Sequence, residues 1–244
     1  MTFRELFPVV MTITVLALAA GKLEARMISF PSEGFSLELS EQWVKVPTDV
    51  FEAKMQELKK AYGGKSGKNI AYRHALQLRS KEWFDYPYIL VSRWDDTRVE
   101  SDEIPDMNER LKEHLLKEGN GISGTRLKRS SFDPDSRIYQ AELRFELAKR
   151  DMVMIKTVCY MNQSVLVLNA YIPEKSYPEY GPEVASAMSN LRLDPANVYQ
   201  AGASSGMDFR KDILPYLKIS IATGIILLLV GLFLWKRRRS SGNG

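Results

Sequence analysis

The stretch IYQAELRFELAKRDMVMIKTVCYMNQSVLVLNAYI, Ile138–Ile172, decides the fold. In its first part Tyr139, Ala141, Leu143, Phe145 and Leu147 alternate with Gln140, Glu142, Arg144 and Glu146. A period of two marks a strand with one dry and one wet face. Met152–Met161 (apart from Lys156) and Val165–Ile172 are largely apolar on both faces, as central strands of a sheet covered on two sides are. The connections around Lys149-Arg150-Asp151 and Asn162-Gln163 are hairpin-short. The expectation is an antiparallel meander.

Upstream, Met27–Phe30 and Phe35–Leu39 read as two short strands across the turn Pro31-Ser32-Glu33-Gly34, with Phe35, Leu37 and Leu39 on one face. A helix opens at Thr48 or Asp49, with Glu52 three residues after Asp49 as a capping box. Phe51, Met55, Leu58 and Tyr62 fall on one face, and Gly63-Gly64 ends it. Lys65–Lys68 is a basic loop. Tyr72–Leu78 and Tyr86–Trp94 read as strands, the first with Tyr72, His74, Leu76 and Leu78 sharing a face. Asp102–Gly119 is a second amphipathic helix, with Ile104, Met107, Leu111 and Leu115 inward and Pro105 in its first turn. Gly119–Gly124 follows as a chain reversal. Downstream, Pro182–Leu191 is a third helix with Pro182 at its first position, and Asp194-Pro195 closes the domain.

A strand pair reading Phe30-Pro31…Gly34-Phe35-Ser36-Leu37-Glu38-Leu39…Trp43, then a helix, a meander and a last helix running into Asn190-Leu191-Arg192-Leu193, resembles the PsbP/DcrB-like superfamily. Ser40 stands near where a proline is common in that motif. The resemblance covers most of Met27–Asp194. It implies an α+β fold, an antiparallel β-sheet sandwiched by helices, used mostly for binding and assembly and seldom for catalysis. Periplasmic DcrB-like members are often lipoproteins; no cysteine stands directly after the leader here, so a C-terminal helix would do the anchoring instead.

That helix is Ile213–Trp235. No charge occurs from Ile219 to Trp235, about 17 positions, and Ile213–Leu217 extends the run to about 23, enough to span a bilayer. Lys218 is near enough to the outer end to snorkel. The cluster Lys236, Arg237, Arg238 and Arg239 predicts a cytoplasmic C-terminus by the positive-inside rule. Met1–Ala20 has Arg4, an apolar Phe7–Ala20 and an Ala17-Leu18-Ala19 cleavage site, the layout of a signal peptide or a signal anchor. The expected organisation is a leader over 1–20, an extracytoplasmic domain over 27–195, a linker over 196–212, a single span over 213–235 and a cytoplasmic tail over 236–244. If the cell is bacterial, the domain lies in the periplasm at the inner membrane.

Charge follows this division. The chain carries 34 basic and 30 acidic residues, but outside Ala20–Met207 lie eight basic and three acidic ones, leaving 26 against 27 within that stretch. So balanced a domain has no bulk attraction for nucleic acid. Cys159 is alone, so no disulfide closes within the chain.

Candidate chemistry is sparse. His74, His114 and Cys159 match no ligand spacing, so no metal or other cofactor is expected. No nucleophile sits in a recognisable motif, and no enzyme is expected. Asp95, Asp96, Glu100, Asp102, Glu103 and Asp106 form an acidic group that reads first as a solvated loop before a helix N-terminus. Trp83-Phe84-Asp85-Tyr86-Pro87-Tyr88 puts four aromatics in six positions. Trp83, Phe84, Tyr86 and Tyr88 are therefore candidate partner contacts, with packing into the core the alternative. The expected function is a non-catalytic, membrane-tethered module contacting another envelope protein. The alternative is a sensor of a small ligand or divalent cation built on Asp95–Asp106.

Overall fold

The computed structural model describes residues 25–62, 72–116, 122–147 and 149–200. The leader, the span Ile213–Trp235, the tail cluster Lys236–Arg239 and the loop Lys65–Lys68 lie outside the described residues. No described helix is long and apolar enough to cross a membrane.

The architecture is α+β with two antiparallel sheets. Strands β1 (Ala25–Phe30), β2 (Phe35–Ser40) and β10 (Arg192–Leu193) form a small sheet in the order β1-β2-β10. A seven-stranded sheet runs β3-β4-β5-β9-β8-β7-β6. Its members are β3 (Trp43–Lys45), β4 (Tyr72–Leu78), β5 (Tyr88–Asp95), β6 (Ile122–Asp133), β7 (Ile138–Leu147), β8 (Arg150–Tyr160) and β9 (Ser164–Pro173). The meander is present as β7-β8-β9, with Leu143 opposite Met154 and Met154 opposite Tyr171. β9 is buried along its whole length, as continuous apolarity requires of a strand covered on both faces.

Three helices cover this sheet: α1 (Thr48–Tyr62), α2 (Ile104–Leu115) and α3 (Tyr177–Ser189). Phe51 and Met55 of α1 and Ile104, Met107, Leu111 and Leu115 of α2 share a core with Leu90, Val167, Val158 and Tyr139 on one face. On the other face, Val184 and Met188 of α3 and Phe30, Phe35, Leu37 and Leu39 of the small sheet pack with Ile89, Leu168 and Ile155. The core is thus two layers separated by one sheet.

Local structure departs from the expected periodicities in four places. Tyr72 lies with Ala75 in the core beneath α1 and α2, while Leu76 lies on the opposite face. A bulge between Tyr72 and His74 supplies the extra residue that flips it. Trp43–Lys45, too short to show a period, is a strand paired to β4. The third helix begins at Tyr177, with Pro178 near its start, so Pro182 is inside it and not at its first position. The fourth departure is β6, twelve residues long, which the sequence reading passed over.

Gly34 turns the chain from β1 into β2 at φ +70, a conformation that favours glycine. A Cβ there would fall 1.8 Å from Nδ2 of Asn197. That close approach lets the Asp194 N–H donate to the Gly34 carbonyl at 2.9 Å, tying the last segment to the first turn.

The chain stays on the domain surface past Pro195, through Gln200. The Tyr199 ring lies between two guanidinium groups, 4.4 Å from Arg98 and 3.5 Å from Arg137, and its hydroxyl donates to Glu100 at 2.7 Å. Arg98 donates to the carbonyls of Asn162 at 3.1 Å and Gln200 at 2.6 Å. Arg137, in the β6–β7 hairpin, has a left-handed φ of 55. Its guanidinium donates to Val99 O and Ser101 Oγ at 2.7 and 2.6 Å, contacts that hold the disfavoured backbone in place.

Candidate functional site

A groove of about 640 Å³ opens where β6 and β7 pass beside α3. Its strand wall carries Lys128 and Arg129, its floor Gln140, Glu142 and Tyr177, and its helix wall Ser186, Ser189 and Asn190. Two consecutive strand residues ordinarily point to opposite faces. Here the register runs Leu127 opposite Leu143 and then Arg129 opposite Glu142, leaving Lys128 as the extra residue of a bulge. The bulge re-aims it, so both cations line one groove.

The floor is a bonded set. Arg129 Nε sits 2.8 Å from Glu142 Oε2, and the Tyr177 hydroxyl donates to the same oxygen at 2.6 Å. Burial, and then the Glu142 carboxylate accepting its proton, push the Tyr177 hydroxyl up to about 12, so it remains a donor at any cellular pH. Gln140 Nε2 donates to Thr157 Oγ1 at 3.2 Å and to the Ala185 carbonyl at 3.1 Å, fixing α3 against the sheet. On the helix wall the Ser189 hydroxyl donates to Ala185 O at 2.9 Å and Asn190 Nδ2 to Ser186 O at 3.0 Å. Those groups are spent on the helix end. Glu142 is neutralised by Arg129, whereas exposed Lys128 has no ion-pair partner among the described residues. The groove therefore carries one uncompensated positive charge and suits an anionic group.

Tyr177 owes its place to Gly181. A Cβ at Gly181 would lie 2.5 Å from the Tyr177 ring, which fills the space one helical turn back. Gly181→Ala would ordinarily gain about 1 kcal/mol of helix propensity. Here it should instead displace Tyr177, break its bond to Glu142 and lower the melting temperature by several degrees. A rise in melting temperature on scanning calorimetry would contradict this packing.

The aromatic candidates Trp83, Phe84, Tyr86 and Tyr88 lie elsewhere, by the core beneath α1 and α2. Tyr88 is fully buried, with Tyr86 stacked on it at 4.9 Å and Phe84 edge-on at 6.3 Å. Phe84 also meets Phe51 of α1 at 6.5 Å. Trp83 alone is exposed, at 42%.

Three acids of the Asp95–Asp106 group, Asp95, Glu100 and Asp106, have basic partners. Asp95 pairs with Arg73 and, at 2.8 Å, with Arg93 Nε. Glu100 takes Arg98 at 2.7 Å, and Asp106 takes Arg110 at 2.9 Å. Arg98 and then Tyr199 hold the Glu100 carboxyl below its ordinary value by hydrogen bonding. Among the described residues no three His, Cys, Asp or Glu side chains gather as a metal site would need. His74 meets the buried Glu33 at 3.1 Å, and Arg73 reaches the other Glu33 oxygen at 2.9 Å. Burial raises the Glu33 pKa, and His74 and Arg73 more than offset that, so the group ends lowered. Cys159 is free and buried, its thiol pushed up to about 12 by burial, and so is unreactive.

Sequence reasoning missed the groove because it missed β6. The run Thr125-Arg126-Leu127-Lys128-Arg129-Ser130-Ser131 shows no apolar alternation. The available signal was the Asp133-Pro134-Asp135 turn before β7, which needs a preceding strand to make a hairpin.

No protein-family model and no curated protein matches the chain. Solved structures do. The solution structure of cyanobacterial PsbP from Synechocystis sp. PCC 6803 is 10% identical and superposes at a TM-score of 0.46, covering 71% of this chain and 95% of that one. The crystal structure of LpqN, involved in cell envelope biogenesis of Mycobacterium tuberculosis, is 10% identical with a TM-score of 0.44, covering 70% and 91%. A Pseudomonas aeruginosa protein of unknown function, a putative regulator, is 14% identical at 0.34, covering 70% and 99%. At these identities the likeness is one of fold alone.

Proposed function

We propose that this chain is a non-catalytic binding or assembly module on the extracytoplasmic side of a membrane, tethered by Ile213–Trp235 and contacting another envelope protein. The observation that carries the reading is the outer edge of the large sheet. A twelve-residue strand, β6, closes the seven-strand order and is exposed along most of its length, with a cationic groove beside it. Open strand edges are pairing surfaces, which natural proteins shorten, cover, bulge or charge against self-association. β6 is bulged and basic in its first part, but from Arg129 to Asp133 it is regular and open to a partner. Side chains in the groove are bonded into floor and walls, an arrangement suited to holding a partner. The cation-sensor alternative has less support, because Asp95, Glu100 and Asp106 are paired with arginines and no three acids gather among the described residues.

Two measurements test the reading. Full-length protein should stay with membranes through salt and alkaline washes and leave only with detergent, and deletion of 213–235 should release it. Lysine-directed crosslinking in intact cells should recover the same envelope protein in repeated experiments. A freely soluble full-length chain removes the tether, and crosslinking that returns no specific protein removes the partner.

A further inference from the structure

The two edges of the large sheet are built differently. At one edge β3 has only three residues, and long side chains close over it: Arg26 Nη2 donates to the Trp43 carbonyl at 2.7 Å, and Lys45 Nζ reaches Ser29 O. At the other edge β6 bonds to β7 on one side and, among the described residues, to no strand on the other. From Arg129 to Asp133 it pairs with β7 residue for residue, so its outer edge is regular there, and Ser130 and Ser131 are exposed.

Charge selects what can fit. β6 carries Arg126, Lys128 and Arg129 and a single acid, Asp133, at its end. Basic edge residues discourage a second copy of the same strand, because like charges placed opposite are unfavourable. They favour a strand bearing carboxylates. Arg129 is already held by Glu142, leaving Lys128 in the groove as the cation free to receive one.

We propose that β6 accepts an extended, acidic segment of the partner as an added strand of the large sheet, with a partner carboxylate seated on Lys128 in the groove. This rests on the binding reading above and specifies its chemistry. Main-chain hydrogen bonds along Arg129–Asp133 supply affinity, and the Lys128 contact supplies selectivity for acid.

The test places a photo-reactive residue at Ser130, and in a separate variant at Trp83, in the full-length chain in its own cells. The expected result is a Ser130 adduct whose crosslinked peptide is extended and rich in Asp or Glu. Arg126→Glu with Lys128→Glu should cut its yield by about tenfold or more, while Lys128→Arg preserves it. Both side chains are solvent-exposed, so the melting temperatures of these variants should match that of the parent and show the loss to be one of binding. Adducts to a second copy of this chain, to peptides without acids, or undiminished by charge reversal overturn the proposal. An adduct from Trp83 alone overturns it and leaves the broader binding reading standing. None from either position sinks both.

Discussion

Replacing Lys156 by Met together with Asn169 by Leu should stabilise the protein by about 1–4 kcal/mol at pH 7, even though it removes a hydrogen bond. Both side chains are completely buried, on adjacent strands β8 and β9, and face each other across the sheet at 2.9 Å. They lie on the face covered by α1 and α2. An ammonium there has lost its water and gained one amide oxygen, and the Asn169 Nδ2 has no acceptor. Burial accordingly pulls the lysine from its usual 10.5 down to about 7. The folded state therefore holds fewer protons than the unfolded chain between those two values. Stability contributed by this group rises with pH across that window, by at most about 1.4 kcal/mol per pH unit, and levels off above the unfolded value.

The double variant should lose this slope as well as gain stability. Asn169→Leu alone should do the reverse of the pair, costing about 3–5 kcal/mol by removing the acceptor that holds the buried ammonium. Thermal unfolding of the detergent-solubilised chain between pH 6 and pH 10, followed by circular dichroism, reads all three. A double variant that keeps the parent's pH slope would show that Lys156 is not its source.

Trp43→Ala should destabilise by about 3–5 kcal/mol, the largest loss expected from a single truncation. Trp43 has no exposed surface and is among the largest buried side chains. It belongs to the core shared by the small sheet and the large one, and its own carbonyl receives Arg26 of β1. Removing the indole leaves a cavity at the joint between the two sheets, where neither can collapse without breaking register. Trp83→Ala makes the contrast: at 42% exposure it should change stability by less than about 0.5 kcal/mol. Urea unfolding of the two variants separates them, and equal losses would refute the assignment of Trp43 to the joint.

The buried side of the fold was legible in the chain. Tyr139, Leu143 and Phe145 alternate because one face of β7 is dry. β8 and β9 lack alternation because both their faces are covered. Phe35, Leu37 and Leu39 marked β2 by the same rule. Each of these signals records contact with a core, so each survives in a single sequence. Where burial does not write the pattern, the reading failed: β6 is mostly exposed, and bulges break the spacing of Leu127 and Phe132, the two side chains it packs on the core, so Lys128 and Arg129, which build the candidate groove, had no periodicity to reveal them. The aromatic run Trp83–Tyr88 stood out for composition alone, and composition does not say which rings face in; the structure buries Tyr88 and leaves Trp83 outside.

By itself the sequence determined the antiparallel meander, the strand pair before it, the two-sided covering of the large sheet and the charge balance of the domain. These depend on local periodicity and on totals. Only tertiary structure decided which strand stands at the open edge, that a bulge turns Lys128 into the groove, that Tyr199 is gripped by Arg98 and Arg137, and that Lys156 meets Asn169. The physical reason is the same in each case: burial leaves a repeating mark along the chain, whereas edges, bulges and pairings between distant residues arise from how strands are ordered in space.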